Sequence, residues 1–197
     1  MDLVTLVKRK RFDEALAALS AGSNPEPKKP RGESALLWAV IHHRADVAQA
    51  LILAGVDPSP RTTGKRAAGI GVGGVTPLHI AASNGDVESI EVLVRGRAVV
   101  DAHDALGNTP LVLGAMRGDL KVVQALIDAG ADPNSSGAGY TALHMAAKEG
   151  HAELVSFLLR SGARVNPIGD DDWPPLRYAV VNGHKVVADL LRAAGAS

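Results

Sequence analysis

The sequence has no cysteine, few aromatic residues and no long apolar run. Without cysteine, the chain can form neither a disulfide nor a thiolate metal site. Phe, Trp and Tyr make up only 3% of the residues, which suits a stack of helices rich in Ala, Leu and Val better than a large aromatic core. No apolar stretch reaches about 18 residues, so no membrane span is predicted.

The sequence also has no excess of either charge, with 21 basic and 21 acidic residues among 197. Such a chain has no overall electrostatic attraction for nucleic acid or for anionic membranes. The apolar residues near the start are too few for a signal peptide, and basic residues 8–11 follow them rather than precede them. We therefore expect a cytoplasmic protein, with neither a membrane nor a nucleic acid as its partner.

One pattern recurs along the chain at a nearly constant spacing. It is anchored on Thr76, Thr109 and Thr141, which are 33 and 32 residues apart. Self-similarity at this period is typical of a solenoid, in which each unit packs only on its neighbours.

Each copy of the pattern predicts a helix, a tight turn and a second helix. Thr76 can cap free N–H groups, and Pro77 fits the first helical turn. Gly85 can end the helix in a left-handed conformation, and Asp86 can cap a second helix over residues 87–95. One such unit cannot bury both of its apolar faces, but a stack of units can.

These residues resemble ankyrin repeats. The motif Thr-Pro-Leu-His-x-Ala stands complete from Thr76, and it recurs with one to three changes from Ser34, Thr109, Thr141 and Pro174. The resemblance covers most of the chain. It implies an all-α ankyrin-repeat solenoid with extended hairpin fingers along one edge. First helices would line its concave face and second helices its convex face.

We expect a single domain over residues 1–197, built from six units and one insertion. The units are residues 1–24, 33–57, 75–102, 103–134, 135–166 and 167–197, of which the first and last are degenerate caps. The insertion, residues 58–74, lengthens one finger by about nine residues, and loops of this length are functional or disordered.

Two residues depart from the ankyrin pattern. His43 stands where the family has the turn glycine, so we expect a strained or altered turn there. Arg97 stands where the family has a glycine after the second helix.

Patterns for other kinds of chemistry are weak. Residues 69–74 match G-x-G-x-x-G, but no buried strand precedes them as a dinucleotide fold requires. The resemblance implies that His79 and His144 are structural and bond to the neighbouring loop. No histidine pair has metal-ligand spacing, and no nucleophile motif is present. We therefore expect no enzyme, no metal and no cofactor.

The resemblance also implies a partner-binding surface on the concave face and the finger tips. In the family, partners contact the finger tips and the exposed end of each first helix. We add the basic residues of the insertion to the residues at these positions. The predicted binding surface then consists of Arg31, Glu33, His42, Arg61, Lys65, Arg66, Val75, Ser83, Asn84, Leu106, Asn108, Met116, Arg117, Tyr140, Lys148, Glu149, Asp170, Asp171, Trp173 and Asn182.

Four of these residues are apolar or aromatic at positions that should be exposed, namely Leu106, Met116, Tyr140 and Trp173. Such side chains often dominate the free energy of binding. Alternatively, Tyr140 and Trp173 pack against adjacent fingers.

Charge is unevenly distributed, with a net +4 over residues 1–66 and a net −4 over residues 67–197. One interpretation is that this asymmetry orients a partner whose charges are arranged in the complementary way. The other is that the charges are scattered over solvated loops.

We predict a non-enzymatic module, monomeric on its own, that binds another protein. One alternative is a dedicated inhibitor or immunity protein that blocks a toxin or an enzyme, using residues 58–74 or 170–172. A further alternative, which the balanced charge argues against, is nucleic-acid or nucleotide binding through residues 58–74.

Overall fold

Pairs of short antiparallel helices make up the computed structural model, which describes residues 2–24, 34–62, 73–137 and 139–197. Six pairs lie in these ranges: α1 (Leu3–Lys8) with α2 (Phe12–Ser20), α3 (Ala35–Ile41) with α4 (Ala45–Leu53), α5 (Pro77–Asn84) with α6 (Val87–Arg95), α7 (Pro110–Arg117) with α8 (Leu120–Asp128), α9 (Ala142–Glu149) with α10 (Ala152–Arg160), and α11 (Pro175–Val181) with α12 (Lys185–Ala193). The predicted all-α solenoid is confirmed.

The helices form two layers. Each first helix, from α1 through α3, α5, α7 and α9 to α11, packs on the first helix of the next unit. The second helices form a parallel row in the same way. The leucine of the repeated motif lies between the layers, and Leu36, Leu78, Leu111 and Leu143 have no solvent exposure. Burying each such side chain contributes about 1.5–3 kcal/mol.

Local residues start and stop the helices as predicted. At α7, the Thr109 hydroxyl accepts a hydrogen bond from the N–H of Val112 at 3.3 Å, and Pro110 occupies the first turn. Gly118 then ends the helix with a φ of 75°. This left-handed conformation is accessible to glycine at little cost, because glycine has no Cβ.

Among the described residues, four turns adopt the same left-handed conformation without glycine. His43 has a φ of 54°, which confirms the expected strain at its turn. Arg97, the second departure from the pattern, has a φ of 66°. Lys10 and Asp172, each with a φ of 60°, were not foreseen.

A ladder of polar side chains ties the base of each finger to the next. At four equivalent positions, one residue per unit, a side-chain oxygen accepts the backbone N–H of a residue in the following unit. The pairs are Ser59 with Val99 at 2.8 Å, Asp101 with Asp132 at 3.2 Å, Asn134 with Arg164 at 2.8 Å, and Asn166 with Ser197 at 3.3 Å.

One finger ends in a small hairpin of strands β1 (Ser136–Gly137) and β2 (Tyr140–Thr141), with Gly137 opposite Tyr140. Strand β2 leads directly into α9, so Tyr140 lies beside the first turn of that helix.

The insertion has a fixed base at Thr62, which is buried. Its N–H donates to the Val75 carbonyl at 3.0 Å, and its carbonyl accepts the N–H of Gly74 at 2.9 Å. The Thr62 hydroxyl also accepts the N–H of Val75 at 3.0 Å. Because both ends of the insertion are paired here, its length does not disturb the stacking of α3 on α5.

Within the described ranges, no helix combines the length and the apolar character needed to cross a membrane.

Candidate protein-binding surface

A groove of about 680 Å³ lies on the concave face between the second, third and fourth units. It brings together six residues of the predicted surface: Val75, Ser83, Asn84, Leu106, Asn108 and Met116. Its other lining residues are Ile41, His43, His79, Ile80, Asp104 and Leu113. The groove is therefore apolar at its centre and polar at its margin, as binding sites commonly are.

Leu106 and Met116 are the exposed apolar side chains of this groove, with 59% and 52% of their surface accessible. Leu106 is held outward by a tight finger turn around Asp104. One Asp104 carboxylate oxygen accepts the N–H of Leu106 at 2.9 Å and that of Asn108 at 2.8 Å. Leu106 is thus presented to solvent by a hydrogen-bonded turn, which limits the entropy lost on binding.

His79 attaches this finger to the helical layer. Its Nε2–H donates to the Asn108 carbonyl at 2.9 Å, and its Nδ1 accepts the N–H of Thr76 at 3.2 Å. Burial lowers the pKa of His79, although the Asn108 carbonyl opposes this shift, so the ring is neutral near pH 7. The structural role implied for His79 is confirmed.

His144 repeats this arrangement two units later. Its Nε2–H donates to the Trp173 carbonyl at 3.1 Å, and its Nδ1 accepts the N–H of Thr141 at 3.0 Å. Burial likewise lowers its pKa. The structural role implied for His144 is also confirmed.

Two polar contacts lie beside the groove. Arg117 donates to the Ser83 carbonyl at 3.3 Å, which couples the ends of α5 and α7. His43 Nδ1 lies 3.2 Å from the Asp86 carboxylate. His43 was not predicted to belong to the surface, because it was noted only for its unusual turn.

A second group of predicted residues lies around Tyr178, where the last two fingers meet. The Tyr178 ring is 6.2 Å from Tyr140 and 5.3 Å from Trp173, and the Arg177 guanidinium lies 4.2 Å over the Trp173 ring. Tyr140 and Trp173 are only half-buried, but part of each ring is already covered within the chain. Tyr140 lies against the neighbouring finger at Gly169, as the alternative expected, whereas Trp173 packs on Tyr178 and Arg177 of its own unit.

The Tyr178 hydroxyl donates to the carboxylate of Asp171. Burial and this carboxylate raise the pKa of Tyr178, while the same hydrogen bond lowers the pKa of Asp171. Asp171 is thus bonded to the first helix of its own unit, although Asp171, like Asp170 and Asp172, is exposed.

Several other predicted residues are partly engaged within the chain. His42, expected to be exposed, is half-buried, stacked on Trp38 with a centroid distance of 5.7 Å and edge-on to Phe12 at 5.8 Å. Val75 is buried in the floor of the groove rather than exposed at a finger tip. The expectation that His42 and Val75 are exposed was wrong, because neighbouring units cover both.

Asn182 and Arg61 are exposed but bonded to neighbouring units. The Asn182 amide donates to the Lys148 carbonyl at 2.7 Å, and Arg61 donates to the His103 carbonyl at 2.9 Å. The side chains of Lys148 and Glu149 are exposed at the end of α9. Predicted contacts Arg31, Glu33, Lys65 and Arg66 lie outside the described residues.

The sequence reasoning missed the centre of the groove, which consists of Ile41, Ile80 and Leu113. A positional pattern could have found two of them, since Ile80 and Leu113 both occupy the variable position of Thr-Pro-Leu-His-x-Ala. Among the described residues, no cluster of His, Asp or Glu is suited to holding a metal ion.

The chain belongs to the ankyrin-repeat family. A three-copy ankyrin-repeat family profile matches residues 65–137 and again residues 115–197, which together cover more than half of the chain. This confirms the resemblance inferred from the repeated motif.

Curated relatives match over most of this chain but over little of their own length. Neurogenic locus notch homolog protein 1 from Xenopus tropicalis is 33% identical over 151 residues, which are 75% of this chain and 6% of that protein. The B-cell lymphoma 3 protein homolog from Mus musculus is 31% identical over 147 residues, 74% of this chain and 32% of that protein. The E3 ubiquitin-protein ligase KEG from Arabidopsis thaliana is 29% identical over 191 residues, 90% of this chain and 11% of that protein. Ankyrin repeats are in general protein–protein interaction modules.

Proposed function

We propose that this chain binds a protein partner in the concave groove, with Leu106 and Met116 as the main apolar contacts. The observation that carries the proposal is that both side chains are more than half exposed on a hydrogen-bonded scaffold. Large apolar side chains held outward in this way provide buried area on binding without first having to be ordered.

The groove favours a particular kind of partner segment. Its centre, formed by Ile41, Ile80 and Leu113, suits an aliphatic or aromatic side chain. Ser83 and Asn84 at its margin offer hydroxyl and amide groups that can bond to a peptide backbone. We therefore expect the partner to insert an apolar residue that is flanked by main chain free to form hydrogen bonds.

Paired variants test this role. Leu106→Asp and Met116→Asp each place a charge in the groove, whereas Leu53→Asp places the same charge on α4, where Leu53 is 80% exposed. Proteins captured from the native cell by the wild type and by Leu53→Asp, but not by the groove variants, are candidate partners. For a purified candidate, each groove variant should cost about 2 kcal/mol or more, which is roughly a 30-fold loss of affinity.

Thermal unfolding of all three variants provides the control for folding. If the groove variants unfold like Leu53→Asp and still bind the partner as tightly as the wild type, the proposal is wrong.

The partner's own activity distinguishes an adaptor from an inhibitor. An inhibitor or immunity protein should abolish the activity of a toxin or enzyme, and Leu106→Asp should restore that activity in proportion to the lost affinity. An adaptor should bind the partner and leave the partner's activity unchanged.

The proposal involves no catalytic step, and it places the protein in the cytoplasm in line with the sequence-based expectation.

A further inference from the structure

Methionine is the only sulfur-bearing residue type in this chain, which contains three methionines and no cysteine. With no thiol present, the thioethers are the sulfur atoms that an oxidant can reach. Met116 and Met145 lie within the described residues, and Met1 lies outside them. The two described methionines differ strongly in exposure, since 52% of the Met116 surface is accessible and only 9% of the Met145 surface.

The positions of the two residues in the repeat unit account for this difference. Met116 stands near the end of its first helix, where the equivalent residues Ser83 and Lys148 are also exposed. Met145 stands in the middle of its first helix, where the equivalent Ile80 is only 6% exposed. The solenoid therefore holds one thioether in solvent and shields the other.

Met116 is also the methionine that lines the concave groove, together with Ile80, Leu106 and Leu113. Conversion to the sulfoxide makes a flexible apolar side chain polar. The new oxygen accepts hydrogen bonds, and none of these three neighbours has a side-chain donor to offer it. A partner that covers the sulfoxide must therefore remove water from a polar group without replacing its hydrogen bonds, which is unfavourable.

We propose that Met116 is a modification site, and that its oxidation to the sulfoxide by hydrogen peroxide weakens partner binding in the groove. This inference rests on the proposed function of the groove. The thioether sulfur attacks one peroxide oxygen, so that an S–O bond forms as the O–O bond breaks. The attacked oxygen gives its proton to the departing hydroxide, which leaves as water. The sulfur is oxidised, the peroxide is reduced, and methionine sulfoxide reductases can reverse the change.

Peptide mass spectrometry after graded peroxide treatment tests the modification site without any partner. In the folded chain, Met116 should gain an oxygen atom about fivefold faster than Met145 or more, in line with their exposed fractions of 52% and 9%. In concentrated urea, where both side chains are accessible, the two rates should become similar. Equal rates in the folded chain would overturn the proposal.

Thermal unfolding separates an effect on the groove from an effect on the fold. A peroxide dose that oxidises Met116 but not Met145 should leave the unfolding temperature unchanged, because the Met116 sulfoxide stays in water. A higher dose that also oxidises the buried Met145 should lower it, because a polar group then enters the core. A lower unfolding temperature at the first dose would contradict a modification confined to the surface.

Binding is then measured with a groove-dependent protein, defined as one that the wild type and Leu53→Asp capture from the native cell and Leu106→Asp does not. After the peroxide has been removed, the chain oxidised at Met116 should bind this protein about tenfold more weakly or worse. Treatment with the reductases for both sulfoxide epimers, with dithiothreitol as the reductant, should restore the affinity.

Two leucine variants assign the effect to one sulfur atom. Met116→Leu is apolar but carries no sulfur, so peroxide should not change its affinity, although Met1 and Met145 are still present. Met145→Leu should lose affinity on peroxide treatment as the wild type does. A Met116→Leu variant that peroxide still weakens would place the sensitive atom elsewhere and overturn the proposal.

The outcomes distinguish this inference from the proposed function. A groove-dependent protein that binds the oxidised and the reduced chain equally tightly shows that Met116 oxidation does not regulate the groove, and groove binding stands. If no captured protein depends on Leu106, groove binding itself is wrong, and its regulation through Met116 is wrong with it.

Discussion

Asn134 holds the next finger base through both ends of its side-chain amide. Its Oδ1 accepts the N–H of Arg164 at 2.8 Å, and its Nδ2 donates to the Gly162 carbonyl at 3.1 Å. Asn166 makes the same pair of bonds one unit later, with Ser197 and Gly195. An asparagine at this position therefore satisfies both a donor and an acceptor of the neighbouring unit.

The third unit has an aspartate at this position, and we predict that Asp101→Asn stabilises the protein. Asp101 Oδ2 accepts the N–H of Asp132, but Oδ1 is buried with no partner among the described residues. A carboxylate cannot donate to the carbonyl of Gly130, which is the equivalent of Gly162. The asparagine should add this hydrogen bond and raise the free energy of unfolding by about 1 kcal/mol.

Asn134→Asp is the reciprocal control for Asp101→Asn. It introduces the same defect one unit later and should lower the free energy of unfolding by a similar amount in urea denaturation. A loss of stability in Asp101→Asn would contradict this account of the ladder.

The fold was predictable because its determinants are local. Thr109, Pro110 and Gly118 start and stop α7 by contacts within one helix, so their spacing in the sequence carries the information. The position of each residue in the repeat also placed Leu106 and Met116 on the groove correctly.

Contacts between units, and those made by irregular fingers, were not predictable in the same way. His42 is partly covered by Phe12, which belongs to a degenerate first unit with no regular pattern. The bond from Tyr178 to Asp171 depends on how an irregular finger folds back on its own helix. The unpartnered oxygen of Asp101 is visible only once its neighbours are in place.

We predict that replacing a turn glycine by alanine costs more stability where a histidine ring covers the turn. The ring of His184 covers Gly150, whereas no described atom covers Gly183. Gly150 and Gly183 have similar φ values of 81° and 76°, so alanine strains the backbone about equally at both. Only Gly150→Ala also drives a Cβ into a ring, that of His184. Gly150→Ala should therefore destabilise the protein by about 1–3 kcal/mol more than Gly183→Ala. Equal losses in urea denaturation would show that His184 moves aside without cost.

Arg97 offers a stabilising substitution of another kind. Its φ of 66° places an L-residue in the left-handed region, where glycines 55, 130 and 162 stand in other units. Arg97→Gly should relieve this backbone strain. Glycine also adds entropy to the unfolded chain, which lowers stability, but the relief of strain is larger. The free energy of unfolding should therefore rise by up to about 1 kcal/mol. Arg97→Ala removes the same side chain but keeps the strain, so it should show no comparable gain in thermal unfolding.

The buried histidines predict a loss of stability in mild acid. Burial is the main cause that lowers the pKa values of His79 and His144 below the ordinary 6.5. Between the folded-state pKa and 6.5 the unfolded chain therefore binds more protons, so the free energy of unfolding falls as pH decreases through this window. Above pH 6.5 the contribution is fully present. Protonation would also place an Nδ1–H against the N–H of Thr76 or Thr141.

Glutamine tests this prediction, because it does not titrate and can keep the cap at the third helical position. Urea unfolding measured from pH 7.5 to pH 5 should show a shallower pH dependence in His79→Gln/His144→Gln than in the wild type. A residual slope is expected from His42, whose pKa is also lowered by burial. If the double variant retains the full wild-type slope, the two rings are not the source of the acid sensitivity.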